Sequence, residues 1–188
     1  MKVLGIACSP RKGGNTEVLV EEVLARAKGL GAEVELVTVA EKNIAPCDGC
    51  ETCDVTRKCK IQDDMQGLYS KLIEADGIVL GTPVYYWGMT AQAKAFLDRT
   101  FRFRKDRPLK GKMAGLVVVA RRRGISETLA AFLSYCYSQK MTVVGGATAY
   151  ADKRGEVKQN KTAMDEARDL GRDLVQAIER SQKARVSG

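Results

Sequence analysis

Apolar runs of strand length alternate along this chain with stretches of helical periodicity, and that alternation limits the fold more than any other feature. Lys2–Cys8 (KVLGIAC), Glu33–Val39, Gly77–Thr82 (GIVLGT), Lys112–Ala120 and Met141–Tyr150 read as five strands. Between them, Val20, Val23, Leu24 and Ala27 recur at helical spacing within a helix predicted from Thr16 to Lys28, with Gly29 suited to its C-cap. Further helices are predicted from Asp63, which can N-cap with Gln66 three residues on as a capping box, from Thr90 to about Arg102, from Ser126 to Tyr137, and from Lys161 to about Gln182. Strands that alternate with helices imply an α/β fold with a doubly wound, five-stranded parallel sheet covered on both faces. The 188 residues suffice for one domain spanning 1–188, and 45% hydrophobic content supports a core without staples.

In such a sheet, ligands bind outside the carboxyl ends of the strands, at the topological switch point. Three distinctive segments fall on that edge. The first, Ser9-Pro10-Arg11-Lys12-Gly13-Gly14-Asn15-Thr16, joins strand one to helix one. Small residues let backbone N–H groups close on an anion, and the helix N-terminus adds its dipole. Ser9, Gly14, Asn15 and Thr16 supply neutral contacts and Arg11 a bidentate charge, so this loop is a predicted phosphate site. It matches neither G-x-G-x-x-G nor the P-loop pattern. The second segment, Pro83-Val84-Tyr85-Tyr86-Trp87-Gly88, holds the only Trp and suits a planar ring or a subunit contact. The third, Arg121-Arg122-Arg123-Gly124, follows strand four.

Between strand two and the next helix lies a long irregular stretch, residues 40–62, with Cys47, Cys50, Cys53 and Cys59 in the spacing C-x2-C-x2-C-x5-C. Three thiols at successive three-residue steps wrap one loop around one centre. A cubane iron–sulfur cluster takes one thiolate per iron and suits that arrangement. A zinc ribbon splits its ligands into two distant knuckles; zinc and metal-free thiols nonetheless stay open on spacing alone. The chain has no histidine, which excludes imidazole acid–base catalysis and histidine ligation. Six cysteines without an export signal point to a reducing compartment, hence the cytoplasm, and no apolar run is long enough to span a membrane. Cys8 and Cys136 read as core residues.

The segments SPRKGGNT and GTPVYYWGMTAQAKAFLDR resemble the NAD(P)H-dependent FMN reductase branch of the flavodoxin-like superfamily, and CDGCETCDVTRKCKIQDDM resembles the cysteine motif of the iron–sulfur flavoproteins. The resemblance runs from Lys2 to about Thr148. It implies FMN with its phosphate on Ser9, Arg11, Asn15 and Thr16, and its ring lined by Pro83 to Gly88. It implies a [4Fe–4S] cluster on Cys47, Cys50, Cys53 and Cys59, and a homodimer or homotetramer. The expected function is an FMN-dependent oxidoreductase that passes electrons from a ferredoxin-like or NAD(P)H donor to a small acceptor such as oxygen, peroxide or quinone. The alternatives are a cluster-free NAD(P)H:FMN or quinone reductase, and a flavin-binding electron carrier or redox sensor without catalysis. No acid–base side chain is expected to be catalytic. Arg121 and Gly124 are expected to contact the cofactor, with one of Arg121, Arg122 and Arg123 near the flavin's pyrimidine side and another attracting an acidic donor; the alternative is a solvated turn at the oligomer surface. The net charge is +8, and the basic run Arg99, Arg102, Arg104, Lys105, Arg107, Lys110 and Lys112 reads as a solvated face able to dock an acidic ferredoxin. No nucleic-acid motif accompanies the charge.

Overall fold

The computed structural model describes residues 1–186; Ser187 and Gly188, within the predicted domain, lie outside the described residues. Five parallel strands run in the order β2-β1-β3-β5-β6: β1 (Lys2–Ala7), β2 (Glu33–Thr38), β3 (Gly77–Tyr85), β5 (Met113–Ala120) and β6 (Thr142–Tyr150). A two-residue strand, β4 (Gly88–Met89), is antiparallel to the end of β3 and makes a sixth. The helices are α1 (Asn15–Gly29), α2 (Thr52–Thr56), α3 (Met65–Glu74), α4 (Ala91–Arg99), α5 (Ile125–Ser138) and α6 (Lys161–Val186).

Strand alternation sorts the core into two layers. Leu4, Ile6, Ile78, Leu80, Leu116 and Val118 face one way and pack with Met65, Leu68 and Leu72 of α3, Phe96 of α4 and Phe132 of α5. Val3, Val79, Val117 and Val119 face the other way, against Val20 and Val23 of α1 and Leu170, Leu174 and Ile178 of α6. Each such side chain, fully buried, contributes about 1.5–3 kcal/mol. Helix α1 lies close on its layer because the strands offer glycine beneath it. A Cβ on Gly81 would come within 2.5 Å of Val20, and one on Gly5 within 2.7 Å of Leu24.

The chain passes from β1 to β2 on one side, then returns to place β3 on the other side of β1. The loops leaving β1 and β3 therefore diverge and open a crevice at their carboxyl ends. Two buried threonines tie the ends of β1 and β3 to the start of α4. Thr90 Oγ1 donates to the Cys8 carbonyl at 2.7 Å and accepts from the Ala93 N–H, so it caps α4 while tying that helix to the end of β1. Thr82 Oγ1 accepts from the Thr90 N–H at 3.2 Å.

Two local expectations are corrected. The third strand does not stop at Thr82. It stays paired with β5 as far as Pro83, then folds back as a hairpin in which Val84 faces Met89 and Tyr85 faces Gly88. At the start of α3, Asp63 Oδ1 does accept from the Met65 N–H, at 3.0 Å, but Gln66 does not complete a capping box. Its amide nitrogen turns back to the carbonyls of Cys59 and Ile61, which offer buried acceptors in the preceding loop.

Candidate functional site

A cavity of about 260 Å³ opens at the carboxyl edge of the sheet, lined by Ser9, Arg11, Gly14, Asn15, Thr16, Pro83, Val84, Tyr85, Val119, Arg121, Ala151, Asp152 and Arg154. The loops after β1 and β3 thus meet in one place. At its base, α1 begins at Asn15, so the N–H groups of its first turn lack intrahelical acceptors. Ser9 Oγ accepts from the Arg11 N–H at 3.1 Å and folds the loop beneath that opening. A Cβ on Gly14 would lie 3.0 Å from the Arg11 carbonyl oxygen, so the bare backbone shapes the cradle. This concave, donor-rich helix start, ringed by Arg11, Arg121 and Arg154, fits a phosphate.

The expected residues divide by position. Ser9, Arg11, Gly14, Asn15, Thr16, Pro83, Val84, Tyr85 and Arg121 line the cavity. Asn15 lines it with a side chain already engaged. Its Nδ2 donates to the Lys153 carbonyl at 2.8 Å, and its Oδ1 accepts from the Val157 N–H at 3.2 Å. Arg121 forms an ion pair with Asp152 at 3.0 Å and stays exposed, as do Arg122 and Arg123. Tyr86, Trp87, Gly88 and Gly124 are not among the lining residues. Tyr86 and Trp87 form the two-residue turn between β3 and β4, with φ of 47° and 60°. A tight hairpin of this kind needs positive φ at both central residues, which is costly for aromatic side chains. Gly124, φ 93°, backs this turn: a Cβ there would lie 2.8 Å from the Trp87 Cα. Arg154 was not foreseen. Its guanidinium donates to the carbonyls of Lys12 and Gly13, from a loop remote in sequence. Only its contact across the fold reveals it, since nothing in its neighbourhood forms a motif.

The cysteine loop lies apart from this cavity, where Cys47 and Gly49 border Leu97 and Thr100 at the end of α4 and Tyr135 and Ser138 at the end of α5. Cys47, Cys50, Cys53 and Cys59 line one small void together with Asp48, Glu51, Lys60, Ile61, Arg99, Phe101 and Arg102. The backbone bends sharply around it, with Glu51 at φ 56°, Arg57 at φ 58° and the single-turn α2 between them. Among the described residues, no three His, Cys, Asp or Glu side chains converge to hold a single metal ion.

The expectation of a solvated basic face is corrected here. Arg99 is 1% exposed. Its Nη1 donates to the Ala45 carbonyl at 2.9 Å and its Nη2 to the Ile61 carbonyl at 3.2 Å, while both nitrogens bind the Asp63 carboxylate. Burial alone would lower the Arg99 pKa. Its bond to Asp63, with Tyr69 and Cys59 nearby, raises it instead. Burial likewise works to raise the Asp63 pKa, but Arg99 and the N–H groups of Ala45 and Met65 hold it below the usual value. Arg102 stacks 4.7 Å from the Tyr69 ring centre. Arg104 pairs with Asp54 on α2, and Arg57 with Asp106 at 3.4 Å. Arg99, Arg104 and Lys105 of this run brace the cysteine loop.

Two other cysteines are elsewhere. Cys8 and Cys136 are buried, and burial pushes each thiol up to about 12.

A phosphate-fitting cradle and an adjoining aromatic hairpin at the switch point of a doubly wound sheet define a flavodoxin-like flavoprotein. Residues 1–156 match the model of the NADPH-dependent FMN reductases. The chain belongs to that family and, within it, to the iron–sulfur flavoproteins, and it is an FMN-dependent oxidoreductase. It is 36% identical to an iron–sulfur flavoprotein of Methanocaldococcus jannaschii, over 95% of this chain and 97% of that one. It is 32% identical to the iron–sulfur flavoprotein of Methanosarcina thermophila, over 98% and 99%. Among solved structures it superposes on RosB, crystallised with bound 8-demethyl-8-formylriboflavin-5'-phosphate, with a TM-score of 0.80 at 20% identity, covering 97% of this chain and 81% of RosB. A flavodoxin from the domain Archaea gives 0.64 at 15% identity, covering 95% and 99%. No helix among the described residues is long and apolar enough to cross a membrane.

Proposed function

We propose that this protein carries electrons from a one-electron donor, through a [4Fe–4S] cluster on Cys47, Cys50, Cys53 and Cys59, to FMN in the sheet-edge cavity and on to a small acceptor. The observation that carries the reading is that all four thiols of a histidine-free chain surround one void without converging on one point. A cubane asks for that arrangement, because each of its irons takes a separate thiolate. The void is about 20 Å³, and Cys47 and Cys50 are exposed, so seating a cluster moves this rim outward. When bound, the cluster exchanges single electrons and FMN exchanges one or two, so together they join one-electron donors to two-electron chemistry.

The chain's own residues bind and orient. Ser9, Gly14 and Thr16, with the first-turn N–H groups of α1, hold the phosphate, and Arg11 covers it. Pro83, Val84 and Tyr85 give the ring an apolar wall. Tyr86 and Trp87, held outward in their hairpin, suit contact with a second copy of the chain, consistent with a homodimer or homotetramer. The basic groups of the 99–112 run that remain exposed, Lys105, Arg107 and Lys110, suit an acidic donor protein. No side chain is assigned a proton-transfer role.

Anaerobic purification followed by iron, sulfide and flavin assays tests the reading. About four irons, four sulfides and one FMN per chain are expected. Absence of inorganic sulfide after careful reconstitution would exclude the cluster. Reduction rates with ferredoxin and with NAD(P)H then separate this function from a cluster-free NAD(P)H:FMN or quinone reductase, and absence of turnover with any acceptor would leave a carrier.

A further inference from the structure

Three buried side-chain polar atoms among the described residues have no hydrogen-bond partner: Arg99 Nε, Arg102 Nε and Asp54 Oδ1. Asp54 belongs to a carboxylate already paired with Arg104. The two Nε–H groups are buried donors that no acceptor among the described residues reaches. Buried donors in folded proteins are almost always satisfied, and an unsatisfied one attached to a charged group is costly. Both arginines line the void shared by Cys47, Cys50, Cys53 and Cys59.

Arg99 is fixed there with little freedom. Asp63 and the carbonyls of Ala45 and Ile61 occupy its two terminal nitrogens, so the Nε–H is the donor left over. The two carbonyls belong to residues just outside the first and last cysteines of the motif, so the same guanidinium spans the base of the loop. Arg102 is held by a different means, over the rings of Tyr69 and Phe103 at 4.7 and 5.0 Å. The Tyr69 hydroxyl in turn donates to the Arg99 carbonyl at 3.1 Å. Two permanently charged groups are therefore held at the wall of a space lined by thiols, and the Nε–H of each is without a partner.

We propose that Arg99 and Arg102 are positioning residues for the cluster: their Nε–H groups donate to its sulfur atoms, hold it in the loop and stabilise its reduced form. The proposal rests on the cluster reading given above. A centre bound by four thiolates is anionic and gains one more negative charge on one-electron reduction. Fixed donors and positive charge nearby favour that state, and hydrogen bonds to sulfur are among the levers that set such potentials. Arginine suits the role because it cannot lose its proton in this range and divides its donors between support and ligand.

The test uses anaerobically reconstituted protein with FMN bound, comparing wild type with Arg102→Gln, Arg99→Lys and Arg99→Gln. The readouts are iron and sulfide per chain, the cluster midpoint potential from a redox titration followed by electron paramagnetic resonance, and the half-life of cluster iron in excess chelator. Arg102→Gln leaves the straps to Ala45, Ile61 and Asp63 intact. It is expected to assemble the cluster, to lower its one-electron reduction constant at least tenfold, a downward shift of 59 mV, and to shorten the iron half-life. Arg99→Lys keeps the charge and loses the Nε donor, and is expected to lose iron faster than wild type. Arg99→Gln is expected to show the larger potential shift or to lose the cluster. A brace with only a structural role would leave the potential of Arg102→Gln where it was. If Arg102→Gln is full of cluster, with potential and iron loss equal to wild type, the proposal is overturned even should the Arg99 variants fail to fold. If wild type takes up no sulfide, the cluster reading itself fails, and this proposal with it.

Discussion

The phosphate cradle and the cysteine loop are both binding regions, but they are built in opposite ways. The cradle is backbone: a strand end, a glycine without room for a Cβ, and the open first turn of a helix on a packed core. The cysteine loop has little regular structure between residues 42 and 64 apart from one helical turn, and its shape comes from side chains of α3 and α4 reaching into it. A site made from backbone survives most single substitutions. One made from struts depends on a few side chains.

The most extreme contrast is in thiol reactivity. In metal-free native protein, a charged alkylating reagent should label Cys47, Cys50, Cys53 and Cys59, while Cys8 and Cys136, pushed up to about 12, stay protected until unfolding. Three pKa units above the ordinary thiol mean about a thousandfold less thiolate, before burial slows access further. Mass spectrometry after brief labelling counts the sites, and six modified cysteines in folded protein would show that the two core positions open readily.

Next in size is Asp63→Ala, which strands the Arg99 charge inside the protein. Loss of one partner of a buried pair costs about 3–5 kcal/mol, visible as a lower urea midpoint of the metal-free form. FMN affinity should change less than twofold. A large loss of flavin would mean that the two regions are coupled and the contrast is false.

Arg11→Ala probes the other side. FMN binding should weaken by about 1.5–3 kcal/mol, the scale of a hydrogen bond to a charged group, with riboflavin affinity and iron content unchanged. Equal losses for both flavins would remove the phosphate from this loop.

The smallest effect concerns acid. The folded Asp63 carboxyl is held below its ordinary value, so it contributes stability that is complete above about pH 4 and is lost as pH falls through the lower, folded value. Asp63→Asn should flatten that acid limb of the metal-free protein's unfolding curve. An unchanged limb would assign the acid sensitivity to other carboxylates.

The alternation of strands with helices, the small-residue loop after strand one and the cysteine spacing were legible in the sequence because each is a local pattern, whereas the order of the strands in the sheet was not. Arg99 was misread for the opposite reason. In a run of seven cationic residues its neighbours look alike, and only the loop folding over α4 singles it out for burial. The Tyr85–Gly88 hairpin was hidden too, since Tyr86-Trp87 carries none of the glycine or asparagine that marks such a turn. Arg154 and the engaged side chain of Asn15 depend on contacts across about 140 positions, beyond any periodicity.

That last clasp has a consequence for how the protein comes into being. Asn15 and the carbonyls of Lys12 and Gly13 are held by residues 153–157, so one wall of the cradle is made by the first tenth of the chain and the other by the last fifth. A nascent polypeptide leaving the ribosome exposes the glycine-rich loop early, yet cannot close it around an anion until nearly everything else has been synthesised and β6 has docked. Flavin uptake is therefore expected late in folding, and a chain that ends before residue 150 is expected to hold flavin less tightly than the full chain.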